Sequence, residues 1–395
     1  MTRPRSRRVF FYAAGMTGVG QTVRALRLAS YLRELSPDAE ILVATGVASG
    51  DRLFRSGSWT VTAPVELVDL IGALAEHAAE DRVAALRRAA SRRVSALAAA
   101  FGADVVVSTT HRGVVGEAGE LLRSSRERGC RLVLALRDIY HPPRYALDFR
   151  SMSGAEFDAV LVAGRAPTRQ WLPDGLLTGG LAPKVRLVGY LRPAGACPRR
   201  APIRHMSLRV RCQVGGGRDG AHLVAAVTNA VASLRRRTGR RVDLFATTGP
   251  LMPGAEARAL QALEQGDVRI RSWSDDVVAP STRAPGPDVV VSMAGYNSCV
   301  EAAWSRVPRV LVARQDPGDL EQSIRATLFA GWFPTIMATA LTDVDGNELS
   351  RAIEAAATVR TPTRSCSAPP DLFAEPRHVA SALLGADDPL VKGIE

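Results

Sequence analysis

Runs of Val, Leu, Ile and Ala recur along the chain, and between them lie stretches with helical spacing. Residues 9–15, 40–46, 104–109, 131–138, 158–164 and 185–191 are apolar almost without interruption. Such runs suit strands of a parallel sheet covered on both faces by helices. The intervening stretches carry the complementary pattern. In residues 21–35, Val23, Leu26, Ala29 and Leu32 fall on one helical face, and residues 68–100 read as a long helical region rich in Ala and Arg. A further helix is expected over 117–129.

The alternation stops at residues 192–206 (RPAGACPRRAPIRHM), which are rich in Pro, Arg and Gly and have no period, as a linker does. It then restarts. Strands are expected over 208–214, 242–248, 268–273, 288–293 and 309–313. Helices are expected over 222–237, 255–264, 298–307, 320–331, 348–357 and 378–384. A length of 395 residues suits two domains better than one. The expected architecture is α/β, with two facing Rossmann-like domains. Residues 1–195 form the first and 196–395 the second, with a cleft between them at the carboxyl ends of the strands.

Composition narrows the class of function. A net charge of +12 would suit nucleic acid or an anionic membrane. Among the 51 basic residues, however, only Lys184 and Lys392 are lysines, and Ala abounds. That is the mark of GC-rich coding more than of a binding surface. Aromatics at 5% argue further against a platform for stacking bases, so no nucleic-acid partner is expected. No apolar run reaches the roughly 18–20 residues of a membrane span. Five cysteines at wide spacings, with no CxxC and no His pair at ligand spacing, indicate neither a disulfide framework nor a metal site. Arginines precede Val9 as in a signal peptide, but the apolar run is short and breaks at glycines. A buried first strand fits better, and the expected location is cytoplasmic.

Two glycine patterns follow the first strand of each half. Gly18-Val-Gly20-Gln21 is one, and Gly215-Gly216-Gly217-Arg218-Asp219-Gly220 is the other. The second matches the dinucleotide fingerprint, which also needs an acid at the end of the next strand for the ribose. Those ends read Ala44-Thr45-Gly46 and Thr247-Thr248-Gly249, without an acid. A nicotinamide cofactor is therefore not expected. What remains is a tight turn whose backbone N–H groups can approach a phosphate.

The sharpest local signal is Ser292-Met-Ala-Gly295-Tyr-Asn297-Ser298-Cys-Val-Glu301. A buried strand ends in a glycine turn that opens a helix, and the N–H groups and dipole there favour a diphosphate. Glu301, one turn in, suits two ribose hydroxyls. Ser298-x-x-Glu301 equally fits a capping box. Downstream, Asp319-x-x-Gln322 fits a helix cap, while Gln322, Glu321 and Asp316 suit sugar hydroxyls.

The strings VRLVGYLRP, VGGGRDG, TTGPLMPG, VVVSMAGYNSCVEA and DLEQSIRA, with GELLR and RLVLALRDI upstream, resemble a bacterial family of predicted glycosyltransferases. That family is similar to the peptidoglycan N-acetylglucosaminyltransferases (family 28 type, GT-B fold). The resemblance runs from about residue 9 to residue 341. It implies an inverting, metal-independent transfer of a sugar from a nucleotide diphosphate to an acceptor hydroxyl or amine. The donor is a substrate rather than a cofactor, a UDP-sugar before a dTDP- or GDP-sugar. Gly216, Gly217, Gly295, Asn297 and Ser298 would lie near the diphosphate, Glu301 at the ribose and Gln322 at the donor sugar. The first half would bind the acceptor, a small metabolite or a lipid-linked sugar, the latter with peripheral membrane contact.

One departure matters. The family's first loop carries a His where this chain has Gln21, an amide that takes no proton near neutral pH. Asp138 and His111, which end or follow first-half strands, are the replacement candidates for the base, with His141 just beyond. The alternatives are a salt bridge for Asp138, with Arg137 or Arg144, and surface loops for the histidines. A non-catalytic sugar-nucleotide-binding protein and a sugar-nucleotide epimerase remain the rival functions.

Overall fold

Valine and its apolar neighbours fill both sheets, because strands covered on two faces leave no side exposed to water. The computed structural model describes residues 7–15, 18–55, 58–141, 149, 152–194, 207–271, 286–305, 307–314, 318–340, 346–359 and 371–385. The chain divides into two units, Met1–Leu191 with Asp371–Glu395, and Arg192–Pro370.

In the first unit, the described strands are β1 (Arg8–Ala13), β2 (Glu40–Thr45), β3 (Thr60–Thr62), β4 (Val105–Ser108), β5 (Arg131–Arg137), β6 (Ala159–Ala163) and β7 (Val185–Leu187). They form one sheet in the order β3-β2-β1-β4-β5-β6-β7. All its pairings are parallel, with Phe10 of β1 opposite Leu42 on one side and Val106 on the other. Phe10, Tyr12, Leu134, Val160 and Phe157 fill its core.

The second unit contains β8 (Leu208–Gln213), β9 (Val242–Thr247), β10 (Val268–Arg271), β11 (Val289–Met293), β12 (Arg309–Ala313) and β13 (Ile336–Ala340). Their order is β10-β9-β8-β11-β12-β13, again parallel. The strand order reverses direction between β1 and β4 in one sheet and between β8 and β11 in the other. At such a switch point the loops leave toward opposite faces and open a crevice at the carboxyl edge.

Several expectations change. The long helical region is two helices, Val65–Ala75 and Glu80–Phe101, broken at His77, whose φ is +55°. Strands β3 and β13 were not expected. The first has only three residues, too few to show a period. Strand β7 stops at Leu187 instead of residue 191.

The division at 195/196 also needs correcting at the C-terminus, because residues 371–395 belong with the first unit. Tyr190 N donates to Leu372 O at 3.0 Å, and Ala374 N returns a bond to Tyr190 O at 2.9 Å. Arg165 reaches Leu372 O, Phe373 O and the Asp371 carboxylate at 3.3, 3.1 and 2.9 Å. Arg131 caps the final helix, Pro376–Leu384, through the carbonyls of Leu383 (3.0 Å) and Ala382 (3.4 Å). Its apolar face, Val379, Ala380 and Leu383, is buried.

Candidate functional site

The second unit's edge gathers most of the expected donor residues. The loop after β8 carries Gly215–Gly220, the loop after β11 carries Gly295, and Arg314 follows β12. Because β11 lies between β8 and β12, these three loops are neighbours. Gly217 has φ +90°, and a Cβ there would stand 2.0 Å from Thr248 O. Gly216 O accepts from Leu251 N at 2.8 Å. The glycine loop is thus locked against the loop after β9 by backbone contacts, which is the structural reason for Gly217.

Gly295 differs. It precedes the helix Tyr296–Trp304 with ordinary dihedrals, φ −68° and ψ 160°. A Cβ would meet nothing within 4 Å among the described residues. Neither its conformation nor its packing among the described residues requires a glycine there, and a glycine lets other groups approach the backbone closely. The helix's own ladder begins with Cys299 N donating to Gly295 O at 3.0 Å. Asn297 and Ser298 lie in its first turn, where backbone N–H groups point outward.

The capping-box alternative does not hold. The residue at the cap is Gly295, with no side-chain cap bond, and Ser298 is already inside the helix. Glu301 is partly exposed and lies 3.9 Å from the buried Arg309 guanidinium. Gln322 has a structural partner, since its Oε1 accepts from Arg314 N at 3.0 Å. Arg314 was not singled out from sequence. Its guanidinium reaches Asp219 of the glycine loop at 3.3 Å and Asp319 at 3.0 Å, so it ties the loops after β8 and β12 together. Asp319 Oδ1 also accepts from Glu321 N at 3.0 Å, as a turn-forming aspartate does. Asp316 lies outside the described residues.

In the first unit the three expected catalytic positions, Gln21, Asp138 and His111, separate. Gln21 is in the first turn of the helix Gly20–Leu35. Its Oε1 accepts from Thr109 Oγ1 at 2.9 Å and Gly15 N at 3.3 Å, stitching the ends of β1 and β4 across the switch point. An amide oxygen accepts twice, and an imidazole nitrogen accepts once. The amide therefore has a scaffold role that the expected His would not reproduce.

Asp138 is wholly buried, and its Oδ2 accepts from Tyr190 Oη at 3.0 Å. This corrects the expectation that it faces an acceptor. Arg137 stacks on the Tyr140 ring at 4.4 Å, and Arg144 lies outside the described residues. Tyr190→Phe is expected to cost about 1.5–3 kcal/mol in denaturant unfolding, because a buried carboxylate loses a donor. Asp138→Asn should leave turnover within about threefold, and a hundredfold fall would return Asp138 to the role of base.

His111 remains. It is half-buried in the loop after β4, with its ring 5.3 Å from that of Phe149. Sequence reading missed what shapes this loop. Glu117 is buried, and its carboxylate accepts from Val114 N (2.8 Å), Val115 N (2.9 Å) and Tyr12 Oη (2.5 Å). Burial, then the Glu117 charge and hydrogen bond, push the Tyr12 hydroxyl well above its usual pKa, so it stays a donor. The signal was present in Gly113 and Gly116, both at positive φ on either side of the segment that Glu117 gathers.

No family model matches the chain, and no curated protein matches it in sequence. Solved structures do match. MurG from Acinetobacter baumannii is 14% identical, with 96% of this chain and 99% of that one covered and a TM-score of 0.50. A UDP-glucosyltransferase from Polygonum tinctorium capable of glucosylating indoxyl is 14% identical, over 100% and 94% of the two chains, with a TM-score of 0.52. A Listeria monocytogenes protein put forward as a UDP-N-acetylglucosamine 2-epimerase is 10% identical, over 95% and 96%, with a TM-score of 0.54. At these identities the likeness establishes the fold, which is of GT-B type.

Proposed function

We propose that this protein is a glycosyltransferase that takes a nucleotide-diphosphate sugar as donor. The observation that carries this reading is Gly295, a glycine needed neither for dihedral nor for packing, at a helix N-terminus beside the second sheet's switch point. The diphosphate sits there and against Gly216 and Gly217, with the ribose on Glu301 and the sugar toward Gln322. The sequence motifs and the GT-B fold both favour this assignment. The acceptor belongs to the first unit's edge, near His111.

The reaction is an inverting displacement without a metal. The acceptor O–H or N–H gives its proton to a base, the acceptor atom bonds to the anomeric carbon, and the bond to the diphosphate oxygen breaks. The diphosphate leaves with the electron pair. Helix N–H groups that point at this developing charge lower the barrier.

A calorimetric panel of UDP-, dTDP- and GDP-sugars is the test, with UDP-sugars expected to bind most tightly. Transfer or slow hydrolysis of the bound donor supports the transferase. Interconversion of free donor sugars would favour the epimerase reading, which the fold shared with the Listeria protein keeps in view. Tight donor binding with neither reaction would favour a non-catalytic protein, the reading that the scaffold role of Gln21 supports. Membrane contact is tested by co-sedimentation with anionic vesicles. We expect activity with the soluble enzyme in the cytoplasm, where nucleotide sugars are made.

A further inference from the structure

Strand β12 opens on Arg309, where a strand buried on both faces calls for an apolar residue. The Arg309 side chain is only 5% exposed. A guanidinium in such a place is costly unless its charge and donors are matched. Its Nη1 donates to Ser298 O at 3.2 Å and lies 3.9 Å from Glu301 Oε2. Burial lowers the Arg309 pKa, and the Glu301 charge pushes it back up. Ser298 and Glu301 are one helical turn apart, so a single cation touches the anion-binding turn and the carboxylate that follows it. The Glu301 side chain keeps 26% exposure.

We infer that Arg309 is a positioning residue: it holds the Glu301 carboxylate in the orientation that receives the ribose hydroxyls. This rests on the reading of Glu301 as the ribose ligand. A carboxylate that accepts from two vicinal hydroxyls must be held in angle as well as place, and Arg309 supplies that constraint. The helix is fixed at its Ser298 carbonyl by the same group, so its first turn and its carboxylate move together.

The test is discrimination between ribose and deoxyribose. Binding of UDP and 2′-deoxy-UDP, and of GDP and 2′-deoxy-GDP, is measured by calorimetry on the full-length protein and its variants. The wild type is expected to prefer the ribonucleotide of the tighter pair by about tenfold or more. Glu301→Ala should reduce that preference to about twofold or less. Arg309→Gln should do the same, and Glu301→Ala with Arg309→Gln should reduce it no further. Arg309→Lys should retain only part of it, because a flexible ammonium lacks the planar, rigid fork that fixes the angle of the guanidinium. The Lys variant serves as the test if the Gln variant does not fold. A merely structural role would weaken both members of a pair equally. Full discrimination in the Arg309 variants, with discrimination lost in Glu301→Ala, overturns the positioning role and leaves the ribose reading intact. Discrimination retained in Glu301→Ala, or no binding of any of the four nucleotides, overturns both.

Discussion

His111→Asn is expected to lower sugar transfer by about 10²–10⁴-fold while donor affinity stays within about twofold. Loss of a general base costs that much because the acceptor must then lose its proton to water. Of the three expected catalytic positions, Asp138 is enclosed and bonded to Tyr190 Oη, and Gln21 is an amide that joins two strand ends. His111 is the titratable one that stands partly open at the carboxyl edge of the first sheet. Its loop is held by three donors on the buried Glu117 carboxylate, so the imidazole is carried on a rigid support. Asn is nearly isosteric with part of the ring and keeps a polar head. The change therefore tests the proton rather than the packing. Single-turnover transfer from the best donor of the panel reads the chemical step, and calorimetry reads donor affinity. A fall of less than about threefold would move the base to His141, which follows β5.

Gly217→Ala should be the most damaging single change in the second unit. The added methyl would stand 2.0 Å from Thr248 O and 3.0 Å from Gly249 Cα, and φ +90° disfavours any L side chain. Left-handed strain costs about 1–3 kcal/mol, and overpacking costs about 1–3 kcal/mol more. Neither neighbour can yield cheaply, since both are backbone. Gly249 has φ +77° and is itself wedged against the backbone of Gly215 and Gly216. We expect unfolding at a denaturant concentration lower by an amount equivalent to about 2–6 kcal/mol, with donor binding lost at temperatures where the fold persists. Gly295→Ala is the matched control. It has room for a methyl in the protein itself, so its melting point should hold while donor affinity falls. If both variants melt like the wild type and bind donor equally well, the loops after β8 and β11 do not hold the diphosphate.

The two predictions separate kinds of glycine and of polar residue that look alike in a one-dimensional string. GGGRDG and MAGYNS both read as phosphate-binding turns. In the fold, Gly217 is spent on packing against another loop, while a Cβ on Gly295 would meet none of the described residues. Asp138 and His111 both read as polar residues after first-half strands. Asp138 turns inward to Tyr190, whose backbone is paired with the returning segment Leu372–Ala374. That pairing joins residues more than 180 positions apart, and nothing in the local pattern at either end announces it.

The sequence by itself determined most of the strands, most of the helices and the two-sheet α/β class, because burial on both faces imposes an apolar run along most parallel strands. It also marked the glycine turns after the strands, since a turn from strand to helix is written in a few consecutive residues. Only the tertiary structure decided which loops share an edge, because strand order depends on pairing between distant segments. It alone returned the last helix to the first unit, through Arg165, Arg131 and the Tyr190 backbone. It alone enclosed Asp138, set Gln21 between two strand ends and brought Arg309 within 3.9 Å of Glu301. Local periodicity records what each segment buries, and the partner it buries against is settled by contacts far away in the chain.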